Sequence, residues 1–172
     1  MISTYADQNM WLPVAHERRR GYLAALTAAG LVPDERLVIS VPFSVGDGER
    51  AAAELLDLDD PPTAILAESD ELAFGALTAL RRAGVAVPGR VSVVGIDDHD
   101  VSRLLDLTTV RQSVFEQGAL AARLLTDALR RRGAGHRGDP ADQSSATGRV
   151  APALVVPTSL VVRASTGPAP GR

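Results

Sequence analysis

The apolar residues of this chain follow two different patterns, which succeed each other along the sequence. In some segments the apolar residues recur every three or four positions, as on one face of a helix. Between these segments stand short apolar runs bounded by turn residues, which is typical of buried strands. The helical spacing covers residues 15–29, 45–58, 70–84 and 114–132, and the strand-like runs cover residues 36–43, 63–69 and 91–96. Helices that alternate with apolar strands indicate an α/β fold built on a doubly wound parallel sheet.

The remaining segments show no such order. Residues 1–13 have no period and are predicted to be a lead-in, and residues 101–110 an irregular connection. Residues 133–151 are rich in Gly, Ser, Asp and Ala, which favours a flexible insertion. Two short strand-like runs flank Pro157, and a tail follows from residue 167. A domain is therefore expected to span residues 14–166.

Composition excludes several classes of function. A net charge of −3 argues against a nucleic-acid surface within the chain, and the absence of cysteine excludes disulfides and thiolate chemistry. The three histidines have no metal-ligand spacing, so neither a metal nor a cofactor is expected. The chain shows no secretory signal and no apolar run of membrane length. A cytoplasmic protein is the expectation.

Polar side chains follow three of the predicted strands where each strand ends. The pairs are Phe43-Ser44, Ser69-Asp70 and Asp97-Asp98. In parallel sheets, ligands bind beyond the carboxyl ends of the strands. Carboxylates accept hydrogen bonds from hydroxyl groups, and an aromatic ring can cover an apolar sugar face. This edge is therefore expected to suit a polyhydroxylated or amide-bearing small molecule.

The combination of motifs resembles one known family. The segments PPTAILAESDELAFGALTALRRAGVAVPGRVSVVGIDD, TTVRQSVFEQGALAARLL and PTSLVVRAST are similar to the effector-binding domain of the LacI/GalR family of bacterial transcription regulators. The resemblance runs from about residue 16 to residue 166. It implies a periplasmic-binding-protein-like fold, represented mainly by the C-terminal subdomain. The helix over residues 114–132 would then belong to the other subdomain.

The resemblance also implies a set of functional residues. Carried over by position, the effector-binding residues are Arg18, Phe43, Ser69, Asp70, Asp97 and Gln112. The helix over residues 70–83 helps to form the family's dimer, which makes Phe74 and Leu77 candidates for an interface between two copies. The implied partners are a small effector, most simply a sugar, and a second copy of the chain. DNA would be bound only through a helix-turn-helix that this sequence does not contain.

Structural interpretations compete at each of these positions. Asp70 can serve as a helix N-cap, Phe43 as a core residue, and Arg18 as part of a solvated helix face. Gln112 can make a structural hydrogen bond, and burial within the subdomain competes with the interface for Phe74 and Leu77.

Other functions remain open for the whole chain. Asp97 and Asp98 can cap a helix or solvate a loop, or they can bind Mg²⁺ in a phosphoryl-transfer enzyme. A stand-alone sugar-binding protein of the same fold is a further alternative. The expectation drawn from the resemblance is a regulator domain that is not an enzyme.

Overall fold

The structure, a computed structural model, describes residues 1–4, 13–135 and 154–170. In chain order its elements are β1 (Ile2–Thr4), α1 (Pro13–Ala28), β2 (Ile39–Val41), α2 (Val45–Leu56), β3 (Ala64–Leu66), α3 (Asp70–Arg82), β4 (Ser92–Asp97), α4 (Asp100–Leu104), β5 (Thr108–Arg111), α5 (Val114–Gly135) and β6 (Ser159–Val161). A 3-10 turn, Glu35–Leu37, precedes β2. The alternation of helices and strands predicted from the apolar spacing is confirmed.

The strands form a doubly wound sheet. β1 pairs in parallel with β2, and a second group has the order β3-β4-β5-β6, with only β6 antiparallel. A parallel bridge between Ile2 and Ala67 joins the two groups, and the Glu68 N–H donates to the Ile2 carbonyl at 2.9 Å. β1 therefore lies between β2 and the end of β3, and the strand order reverses there. The predicted fold class is confirmed.

Helices α2 and α3 pack against each other with their backbones in close contact. A Cβ atom built on Gly48 would lie 2.2 Å from the Leu72 carbonyl oxygen, and one built on Gly75 would lie 2.0 Å from that of Val45. Only glycine fits at this crossing. The core that these helices share with the sheet contains, among its fully buried apolar residues, Ile2, Ala51, Ala52, Leu55, Leu72, Leu80, Val93 and Leu107.

The structure corrects three predictions about local structure. The interpretation of residues 1–13 as a lead-in is wrong for Ile2–Thr4, because this strand is buried between its neighbours; residues 5–12 lie outside the described residues. The predicted irregular connection contains α4 and β5 instead. Of the two runs around Pro157, the described residues form one strand, β6.

The chain divides into two compact units. The first contains Met1–Arg111 and Ser159–Arg172, and the second contains Gln112–Thr158. The described part of the second unit is chiefly α5, which continues to Gly135 and so takes in the first residues of the predicted insertion. The rest of that insertion, up to residue 151, lies outside the described residues. Five large apolar side chains of α5 are exposed: Val114, Phe115, Leu124, Leu125 and Leu129.

Candidate functional site

Three strand ends lie close together at one edge of the sheet. β1 ends at Thr4, β3 is followed by Glu68, and β4 ends at Asp97. In doubly wound sheets, ligands bind at this edge where the strand order reverses, which here is between β1 and β3. Arg18 of α1 contacts both of the later strand ends. The edge therefore carries charges of both signs at the position where this fold takes its ligands.

Arg18 and Asp97 form the accessible part of this edge. The Arg18 Nη1 donates to the Glu68 carbonyl oxygen at 2.6 Å, and its Nη2 lies 3.7 Å from Oδ1 of Asp97. Their side chains remain 22% and 36% exposed, respectively. A guanidinium fixed by a backbone carbonyl, next to a partly exposed carboxylate, can donate to and accept from the hydroxyl groups of one small molecule. The alternative of a solvated helix face is wrong for Arg18.

Glu68 is a buried carboxylate that was not predicted from the sequence as a site residue. Its Oε2 accepts from the Ser3 hydroxyl at 2.7 Å, from the Thr4 backbone N–H at 2.5 Å and from the Thr4 hydroxyl at 3.2 Å. The side chain is 1% exposed. Glu68 therefore fixes the end of β1 with its side chain and orients Arg18 with its backbone carbonyl. The only signal in the sequence was an acidic residue at the end of a strand.

Ser69 and Asp70 were both predicted to bind effector, and both are fully buried. Ser69, rather than Asp70, is the N-cap of α3, and its hydroxyl accepts from the Leu72 N–H at 3.3 Å. Both carboxylate oxygens of Asp70 are occupied by protein donors. The structure therefore gives these side chains roles within the fold. Helix α2 begins in the same way, with Ser44 as its N-cap.

The two adjacent acids have different environments. Asp97 contacts Arg18, whereas Asp98 accepts from the Arg111 Nε at 2.6 Å and from the Arg163 Nη2 at 2.7 Å. Burial is the largest single influence on the pKa of Asp98 and raises it, but the hydrogen bonds and charges of Arg163 and Arg111 together outweigh it. The pKa of Asp98 is therefore held below its ordinary value. Arg163 and Arg111 were not singled out from the sequence.

Phe43 and Gln112 complete the set of predicted ligand contacts. Phe43 follows β2 and is 58% exposed, so the alternative of a core residue is wrong. Gln112 comes directly after β5 and begins the second unit. Effector contact by either residue stays a prediction.

Phe74 and Leu77 line a groove on the first unit. Both side chains are half-buried on α3, and the groove has a volume of about 410 Å³. Its other lining residues include Arg81, Val85, Val87 and Leu105. The Phe74 ring packs edge-on against His99, with 6.0 Å between the ring centroids. Both side chains also pack against the core, so their role at an interface stays a prediction.

The described residues contain neither a metal-binding cluster nor a membrane-spanning helix. No group of three or more acidic or histidine side chains there is arranged to hold a metal ion. Among the same residues, no helix has the length and apolar content to cross a membrane.

The fold and the charged edge define an α/β domain of the type that binds small molecules at the ends of its strands. The family model of the periplasmic binding protein-like domain matches residues 4–166. The chain belongs to this family.

Transcription regulators are among the proteins that are similar to this chain. The HTH-type transcriptional repressor CytR of Escherichia coli is 38% identical over 120 residues, which cover 69% of this chain and 35% of CytR. A transcriptional regulator LacI from Bacillus cereus subsp. cytotoxis has a similar structure, with a TM-score of 0.79, 28% identity, and coverage of 96% of this chain and 53% of that one. A complex of the transcriptional regulator CelR with cellobiose gives a TM-score of 0.73 and 36% identity over 95% of this chain and 46% of that one. The chain thus spans about a third to a half of these relatives, and the resemblance to LacI-family regulators is confirmed.

Proposed function

We propose that this chain is the effector-sensing part of a LacI-family transcription regulator and that its effector is a small molecule of the sugar type. The single observation that carries the proposal is the Arg18–Asp97 pair at the point where the strand order reverses. This pair offers charged donors and acceptors, partly open to solvent, in the fold and family of known regulators. A cytoplasmic location follows from the proposal, because a transcription regulator acts on DNA.

The mechanism is closure of a cleft on the effector. Arg18, Asp97 and Phe43 contribute the contacts on the side of the cleft formed by the first unit. An effector that binds the closed arrangement more tightly than the open one shifts the equilibrium by that difference in affinity. In the intact regulator, this shift changes the relative positions of two DNA-binding domains. Effector binding and DNA binding are then linked by a coupling free energy.

A thermal melt with a panel of ligands tests the proposal. The panel contains cellobiose, D-glucose, D-ribose and uridine. One of them, at 100 times its dissociation constant, is expected to raise the midpoint by about 5–10 °C, because ligand at that level stabilises the folded state by about 2.7 kcal/mol. Asp97→Ala is expected to abolish the shift, since it removes the acceptor paired with Arg18.

The control variant for this melt is Asp59→Ala. Asp59 is an exposed carboxylate between α2 and β3, at the opposite edge of the sheet, so its removal changes the net charge equally and should preserve the shift. A shift that survives Asp97→Ala would contradict the assigned site. A cooperative melt that no member of the panel moves would contradict the proposed effector class.

A magnesium-dependent enzyme is the weaker candidate. Both carboxylate oxygens of Asp98 accept from arginine side chains, which leaves Asp97 without an adjacent free carboxylate for a divalent cation. Mg²⁺ alone is accordingly expected to leave the melting midpoint unchanged. A midpoint raised by Mg²⁺ would favour the enzyme.

The groove beside Phe74 and Leu77 is proposed as the contact between two copies of the chain. Leu77→Glu is expected to weaken self-association about 30-fold, because a charge at a central apolar contact costs about 2 kcal/mol or more. Sedimentation equilibrium measures the effect. The matched control is Leu31→Glu, which changes a leucine that is 57% exposed after α1. Equal weakening by both variants, or by neither, would contradict this interface.

A further inference from the structure

Asp70 is a buried carboxylate whose hydrogen bonds are made with the turn after β4, with α4 and with β5. Its Oδ1 accepts from the Thr109 hydroxyl at 2.6 Å. Its Oδ2 accepts from the Ser102 hydroxyl at 2.5 Å and from the His99 backbone N–H at 2.8 Å. Asp70 therefore links the start of α3 to β5, to α4 and to the backbone directly after the two acids.

The backbone at those acids is in a conformation that L-residues seldom adopt. Asp97 has a φ of +128° and Asp98 a φ of +58°. Such residues persist only where the surroundings hold them. The Asp98 N–H donates to the Thr109 hydroxyl at 3.2 Å, and the same hydroxyl donates to Asp70. The turn formed by residues 97–99 is thus tied to Asp70 directly through His99 and indirectly through Thr109.

The neighbouring strand leaves room for this carboxylate. A Cβ atom built on Gly95 in β4 would lie 2.2 Å from Oδ1 of Asp70. All three contacting groups donate to the carboxylate in this structure, whereas an asparagine amide would turn an NH₂ group toward one of them and reverse or break that hydrogen bond. The site is therefore shaped for aspartate at this position.

We propose that Asp70 is a positioning residue for the effector site, which holds the turn at residues 97–99 so that the Asp97 carboxylate faces Arg18. Asp70 does not contact the effector itself. The inference rests on the proposed function for the role of Asp97, but the local geometry can be tested without an effector.

Amide hydrogen exchange followed by NMR tests the proposal on the whole chain. Asp70→Asn is expected to accelerate exchange at the Asp98 and His99 amides about tenfold, which corresponds to a loss of about 1.4 kcal/mol of local stability. The Asp98 amide does not contact Asp70, so its response reports the link through Thr109. The Ala73 amide in α3, which donates to the Ser69 carbonyl at 3.1 Å, should keep its rate.

Three further variants keep the test decisive if Asp70→Asn folds poorly. Glu71→Gln removes the same charge one residue along α3, at a partly exposed position, and should change none of these rates. Thr109→Val removes the bridging hydroxyl and should accelerate the His99 amide as well as the Asp98 amide. Thr109→Ser retains the hydroxyl, so exchange at both amides should stay as slow as in the parent.

Two results would overturn the proposal. One is unchanged exchange at Asp98 and His99 in Asp70→Asn. The other is an equal acceleration at Ala73, which would mean that Asp70 only stabilises the whole unit. If a sugar of the panel binds, Asp70→Asn must also weaken it about tenfold, the effect of a 1.4 kcal/mol loss. If no sugar binds while the two amides respond, the proposed effector class fails and the positioning role stands.

Discussion

Replacing Gly75 with alanine is expected to lower the free energy of unfolding by about 3 kcal/mol, the upper part of the range for overpacked cores. The new Cβ would lie 2.0 Å from the Val45 carbonyl oxygen and 2.4 Å from the Glu49 backbone nitrogen. Both atoms belong to the backbone of α2 and cannot rotate away as a side chain can. The two helices must therefore move apart, which opens the core around Leu72 and Leu55.

Urea unfolding followed by circular dichroism measures this loss. Gly21→Ala is the matched control, because Gly21 lies in α1 and a Cβ there meets no atom within 4 Å. Alanine is the better helix former, so this control should gain about 0.5–1 kcal/mol. The two glycine-to-alanine changes should thus have opposite signs. An unfolding midpoint for Gly75→Ala equal to that of the parent would contradict the close contact of α2 and α3.

The elements that the sequence predicted well are those with long, regular apolar spacing. α2, α3 and β4 lie within two residues of their predicted bounds. β5 was missed because Thr108 and Thr109 are buried polar residues, so the strand has no apolar run to mark it. Their hydroxyls are satisfied by Arg163, Thr166 and Asp70, all distant in sequence. No local pattern contains that information.

The same distinction between local pattern and tertiary contacts applies to the candidate site. The sequence placed acids at the correct strand ends, because that depends only on where each apolar run stops. The local pattern could not separate Asp97 from Asp98, and only the family resemblance selected Asp97. The different partners of the two acids follow from positive φ angles and from arginines on β5 and after β6. The sequence also could not tell that Asp70 is buried while Asp97 is open, because both follow apolar strands. Burial of an acid is decided by tertiary donors, here Thr109 and Ser102.

Asp98→Asn is expected to lower the free energy of unfolding by about 2–3 kcal/mol at pH 7, since hydrogen bonds to charged groups are the strong ones and Arg163 loses its charged partner. The Asp98 side chain is 12% exposed and that of Arg163 is 15% exposed, so water cannot fully replace the interaction. Asparagine tolerates the φ of +58° at this position, so backbone strain does not contribute to the difference. Asp59→Asn at the exposed loop serves as the control and should change stability by less than about 0.5 kcal/mol.

The same contacts fix the direction of the pH dependence. Because the folded-state pKa of Asp98 lies below its ordinary value of 3.8, folding favours the ionised carboxylate. The stability that Asp98 contributes is fully present above its unfolded pKa and is lost as the pH falls through its lower folded pKa. Urea unfolding of the parent and of Asp98→Asn should therefore give a constant difference from pH 7 down to about pH 5, and a difference that shrinks below about pH 4. A difference that grows on acidification would mean that Asp98 is protonated in the folded state, and the ion pairs with Arg111 and Arg163 would then be wrong.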